Sequence, residues 1–299
     1  MIRHRFLGLM LVGILLSAAI PVAEAHADDP LDAFPTAEKT AAQRVKGLSD
    51  AQREAIRLPE KGTDVVFSIA MLPTANGPGD AATKAEPWLR VFADGRINCG
   101  SSMPLSVERR DDTLTKAELA WLLHLAVDEC QILSRTTKDI EAEFQQSRSA
   151  KPVPGEPQQS FQYRVELPSG KNELLIPEKA LMLRPLRANL QLGAFASLNR
   201  YANFLAARAH LGDAKQRQSL LDQLNDKLKT EQPTAPAFRM EHLGGALNTP
   251  RVDLTAAFEQ EIELEPGKFK RVTGSILRKE KGAPPAFSIS AMEYMKLRP

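Results

Sequence analysis

The chain has 299 residues, 39 basic and 37 acidic, with a formal charge of +2; 43% are hydrophobic, 25% charged and 6% aromatic. This is an ordinary globular mix, long enough for one large domain or two modest ones. It excludes a disordered tail, a collagen-like chain, a disulfide-dense mini-protein and a strongly basic nucleic-acid binder, so no nucleic-acid partner is expected.

The first element is a leader. Arg3 and Arg5 precede an uncharged run of 15 residues from Phe6 to Ile20; Pro21 breaks it, and Ala23, Ala25 and Ala27 follow. That order is a secretory signal peptide, and the run falls short of the roughly 20 apolar residues of a spanning helix. Cleavage is expected after Ala27, with Ala23-Glu24-Ala25 as the competing site. The mature chain is then expected in the periplasm or outside the cell, with no integral membrane segment left. Removing residues 1–27 takes away two arginines and one glutamate, leaving net +1.

Residues 28–60 read as a polar, loosely attached lead-in. Its short helix opens on the capping box of Ser49 and Gln52 and ends before Pro59. Residues 61–150 read as a hairpin-and-helix unit. Thr63 to Leu72 is apolar and β-branched, a buried strand, and Pro73 to Glu86 is a loop. Trp88 to Cys99 is a hairpin turning at Asp94-Gly95. Thr115 and Glu118 form a second capping box, predicting a helix over 116–131. Its stripe of Leu119, Leu122, Leu123, Ala126, Val127 and Cys130 must pack on the sheet.

Pro152, Pro154 and Pro157 make 151–159 the expected linker between that unit and residues 160–299. A second hairpin, Tyr163 to Ile176, turns at Ser169-Gly170. A helix over 188–210 carries Phe195, Leu198, Ala202, Leu205 and Ala209 on one face. Gly212 ends it, and Asp213 with Gln216 caps a partner helix carrying Leu220, Leu221, Leu224 and Leu228. A third hairpin, Glu261 to Val272, turns at Pro266-Gly267, and Phe287 to Ala291 is a final strand. The expected class is α+β: an antiparallel sheet built from β-hairpins, a packed amphipathic helix and an αα-hairpin.

LRVFADGR followed by LTKAELAWLLHLAVDECQIL resembles a group of uncharacterised exported bacterial proteins that share a hairpin and an LT-x-AEL helix. The resemblance covers residues 88–133. It implies export and the hairpin-then-helix order, and no activity.

Export makes Cys99 and Cys130 a possible disulfide, closing a loop of about 30 residues and contributing roughly 3–4 kcal/mol; the other reading is two buried free thiols in one core. The histidines beyond the n-region are His26, His124, His210 and His242, and neither an H-E-x-x-H nor a C-x-x-C motif occurs. His124 and Asp128, one turn apart beside Glu129, are the nearest approach to a ligand pair; an ordinary helix-surface contact explains them as well. No G-x-S-x-G elbow is present, and Ser68, Ser101 and Ser102 are single hydroxyls. Leu243-Gly244-Gly245-Ala246 lacks the lysine of a phosphate loop. Asp111-Asp112 carries no pattern, and Glu259, Glu261, Glu263 and Glu265 alternate as on the wet face of a strand.

From Lys179 to His210 the chain carries Lys179, Arg184, Arg187, Arg200 and Arg208 and no acid. They form either a solvated face balancing acids elsewhere or a patch for an anionic envelope surface. No cofactor is implied. The expected function is a non-catalytic binding or structural component of the cell envelope, with a protein or envelope-surface partner. The alternative is a hydrolase or metal-dependent enzyme assembled from scattered residues, with Glu118, His124 and Asp128 as candidates.

Overall fold

The computed structural model describes residues 37–72, 86–100, 109–147, 160–182, 190–243, 255–277 and 284–295. In chain order, α1 (Ala37–Lys46) and α2 (Asp50–Ala55) precede β1 (Val65–Leu72), β2 (Leu89–Phe92), β3 (Arg96–Cys99) and β4 (Arg110–Thr113). Then come α3 (Lys116–His124), α4 (Thr137–Ser147), β5 (Ser160–Leu167), β6 (Gly170–Pro177) and α5 (Glu178–Met182). The long pair α6 (Leu190–Leu211) and α7 (Ala214–Glu231) leads to β7 (Thr255–Glu265), β8 (Lys268–Leu277) and β9 (Ala286–Met295). The α+β class and the hairpin-built antiparallel architecture are as expected, although it forms two sheets rather than the single one anticipated.

The hairpins divide between two sheets. The first two join β1 and β4 in a six-stranded antiparallel sheet of order β4-β3-β2-β1-β5-β6. β1 is central and buried from Val66 to Ala70, because it is paired on both edges: Ile69 faces Leu89 on one side and Tyr163 on the other. The third hairpin forms its own sheet, β7-β8-β9. The linker expected at 151–159 lies outside the described residues. The two units it was to separate share one sheet, however, since β1 and β5 pair residue by residue from Phe67↔Val165 to Leu72↔Ser160. Backbone pairing between them, invisible to composition, overrides the proline signal.

α6 is the axis of the core. From Tyr201 to Leu211 every residue is buried except Arg208, which is half-buried, so the single buried face expected of it becomes a buried circumference that takes in Asn203 and His210. It packs on β3 and β4 of one sheet and on β7 of the other. The Tyr163 ring meets Phe195 edge-on at 5.9 Å, and its hydroxyl donates to Asn199 Oδ1 at 3.0 Å. α7 lies over β8 and β9. There Gly274 permits the close approach, since an added Cβ would stand 2.6 Å from the Phe238 ring and 3.1 Å from Leu224.

Within the described residues 37–60 the lead-in is packed on the rest of the fold. α1 packs on α3, and Ala41 and Ile56 are buried. Arg53 of α2 donates from Nη2 to the Val45 carbonyl at 2.9 Å and from Nε to that of Leu48 at 3.2 Å, satisfying the end of α1. Ser169, in the turn of the second hairpin, donates to the Ala55 carbonyl at 2.7 Å. The signal peptide expected over 1–27 lies outside the described residues.

Candidate functional site

The predicted helix over 116–131 is two pieces. All three expected capping boxes form; in α3 the Thr115 N–H donates to Glu118 Oε2 at 2.8 Å and the Glu118 N–H to Thr115 Oγ1 at 3.2 Å. After His124 the backbone widens into a π-turn, Leu125–Glu129, closed by the Cys130 N–H on the Leu125 carbonyl at 2.9 Å. The wider turn brings both of its last two acids to one histidine. His124 Nδ1 lies 2.6 Å from Asp128 Oδ2, and Nε2 lies 3.4 Å from Glu129 Oε1. The hydrogen bond to Glu129 raises the His124 pKa, and Asp128 adds to this against the opposing effect of burial; His124 in turn lowers that of Glu129. With Asp128 facing Nδ1 and Glu129 facing Nε2, both ring nitrogens are turned toward carboxylates and neither is presented to a metal. The ring, with its side chain 7% exposed, lies 5.2 Å from Trp121, over which Arg44 stacks at 4.7 Å.

Glu118, 1% exposed, belongs to a different constellation. Its second oxygen accepts from Arg208 Nη1. Arg208 Nε donates to Asp112 Oδ2 at 2.7 Å, and Arg217 Nη2 to Asp112 Oδ1 at 2.8 Å. Burial works against the Arg208 charge, but Glu118 and Asp112 outweigh it and raise its pKa. Two carboxylates thus meet two guanidiniums where β4, α3, α6 and α7 converge. Arg208 therefore balances acids elsewhere and leaves the proposed basic patch. Arg200 is half-buried, while Arg184, Arg187 and the Lys179 side chain lie outside the described residues.

The remaining candidates are also engaged or enclosed. Cys99 and Cys130 are separate free thiols, both fully buried, and burial pushes both pKa values up. Of the two readings weighed for an exported chain, the structure holds the buried free thiols and not the bridge. Ser68 is buried in β1; Ser101, Ser102 and Gly244 to Ala246 lie outside the described residues. Asp111 accepts from Asn98 at 2.7 Å. On the second sheet Glu259 pairs with Arg271 at 3.1 Å and Glu261 accepts from the Tyr294 hydroxyl. Among the described residues no group of three or more His, Cys, Asp or Glu side chains is placed to hold a metal, and no helix is long and apolar enough to cross a membrane.

What the structure adds is a cleft. About 520 Å³ in volume, it opens between the lead-in, the turn joining β2 to β3, and α3. One wall is Val45, Leu48, Ile56 and Leu58; the facing wall is Leu119, Ala120 and Leu123. Ala93, Gly95 and Leu114 complete it. Gly95 has φ +86°, and a Cβ there would stand 2.9 Å from the Leu114 carbonyl, so a side chain would strain this corner. The Asp94 N–H donates to the Gly62 carbonyl at 3.0 Å, which ties the turn to the segment running from the lead-in into β1. Three charged side chains line the cleft: Arg53, Lys116 and Asp94. Asp94 is already matched, accepting from the Arg96 backbone N–H at 3.0 Å and from its Nε at 2.7 Å; that N–H, chiefly, lowers its pKa.

A second cleft of about 480 Å³ is bordered by Asp111, Asp112 and Asp213, each already accepting hydrogen bonds within the fold. The apolar cleft is the better site, because its aliphatic wall is unmatched and Leu58 stands 37% exposed at it. Sequence reasoning missed it by treating residues 28–60 as polar. The signal was Ala41, Val45 and Leu48, at the i, i+4, i+7 spacing of a buried helical stripe. Compared with known proteins, the chain matches no family model, no curated protein and no solved structure.

Proposed function

We propose that the chain is exported to the cell envelope and works there as a non-catalytic binding protein, with the apolar cleft as its contact surface. The observation that carries this reading is the open, largely aliphatic cleft, in the 300–1,000 Å³ range of small-molecule sites, between the packed helices α1 and α3 and a turn hydrogen-bonded to Gly62 and Leu114. The acid–base groups favoured by the enzyme alternative have structural work instead. His124 clamps the π-turn, and Glu118 caps α3 and neutralises Arg208. Export rests on the order of Arg3 and Arg5, the apolar run and the small residues up to Ala27.

The test is site-specific photo-cross-linking in the cell, with the full chain expressed and the photoreactive residue at Leu58 or, as control, at the exposed Gln223 of α7. The expected result is a defined adduct from Leu58 and none from Gln223, on a chain whose N-terminus is Asp28. Equal labelling at both positions, no adduct at Leu58, or a chain still starting at Met1 contradicts the proposal. So does turnover on a hydrolase panel that His124→Gln abolishes.

A further inference from the structure

We infer that the cleft takes one unbranched aliphatic chain ending in an anionic group, a free fatty-acid-like amphiphile. This rests on the binding reading above and names its ligand class. Three observations carry it.

The first is the lining. Its apolar residues are all aliphatic, with no aromatic ring for a planar ligand to stack on. Leu, Ile, Val and Ala side chains offer dispersion contacts and desolvation, and a flexible hydrocarbon gains most from those. The second is the size. About 520 Å³ accommodates a single small molecule, and the space is open on one side, so the polar end can remain in water.

The third is the charge at the rim. Arg53 spends Nε and Nη2 on the carbonyls of Val45, Lys46 and Leu48, which keeps its guanidinium fixed beside the cleft. Lys116 is exposed at the start of α3 and lines the same space. The one acid, Asp94, is held by Arg96. A carboxylate or similar anion at the mouth therefore meets two cations and one neutralised acid, whereas a cationic head meets repulsion. Ala120 lines the same cleft, so a larger side chain there takes up part of its volume.

The test is calorimetric titration of the mature protein with dodecanoate below its micellar concentration, alongside dodecyltrimethylammonium and vesicles of phosphatidylglycerol. Expected are 1:1 binding of dodecanoate, at least tenfold weaker binding of the cationic amphiphile, and no saturable binding to vesicles. Ala120→Trp should weaken dodecanoate at least tenfold. Lys116→Glu, at an exposed position that leaves the fold alone, should weaken it about fivefold and narrow the gap to the cationic amphiphile. Equal affinity for both head groups, saturable vesicle binding, or dodecanoate binding unchanged by both substitutions overturns the inference. Absence of 1:1 binding while the Leu58 cross-link persists removes the ligand class and leaves the binding reading; loss of both removes both.

Discussion

At the scale of single residues, His124 has the clearest consequence. Its pKa is raised in the folded protein, so its contribution to stability is complete below the unfolded value of about 6.5 and is lost as pH rises through the folded value. Glu129 acts in the opposite direction: its lowered pKa contributes stability that is lost as pH falls through the folded value. Arg44 is the other charge close to this group. His124→Gln should therefore cost about 1–2 kcal/mol below pH 6.5 and progressively less above it. Urea melts of both proteins between pH 6 and 9 check this, and a cost that stays level across the range contradicts it. The two cysteines make a second case. Buried, with raised pKa values, both should resist alkylation in the native protein and both should react after unfolding without reductant. A Cys99–Cys130 bridged peptide in a non-reduced digest of protein from the native compartment would contradict the free-thiol state.

At the scale of elements, the network around Arg208 binds four of them with buried charge. Breaking one partner of such a pair costs about 3–5 kcal/mol, while replacing both costs much less. Arg208→Met alone should destabilise by that amount because Glu118 loses its counter-charge. The double variant Arg208→Met with Glu118→Gln should recover at least half, as read by the midpoint of denaturant unfolding. Equal losses in the single and double variants would show that the ion pair is not the source. Gly274→Ala should cost about 1–3 kcal/mol, because the new methyl meets the buried Phe238 ring. The sequence made such elements legible wherever a local device marks them. Asp-Gly, Ser-Gly and Pro-Gly turns placed three hairpins, and capping boxes placed α2, α3 and α7. β4 escaped because Arg110–Thr113 holds no apolar residue; it is a strand only because β3 offers its edge. α4 escaped although Thr136 and Asp139 cap it by the same reciprocal bonds. The π-turn could not be read at all, since α-helical spacing puts only Asp128, and not Glu129, beside His124.

At the scale of the whole molecule, the polar segment 37–60 is part of the fold and supplies one wall of the apolar cleft. Composition hid this, because Val45, Leu48, Ile56 and Leu58 are scattered among charges that the helices turn outward. The division at 151–159 was misleading for a related reason: prolines are local, whereas β1–β5 pairing joins residues about 95 positions apart. Which surfaces remain uncovered is decided only once α1 has packed on α3. The most direct measurement of the central claim is hydrogen exchange of the mature protein with and without dodecanoate. The account expects added protection at 45–58, 93–95 and 114–123, with the second sheet unchanged. Protection centred on 255–295, or none at 45–58, would contradict it.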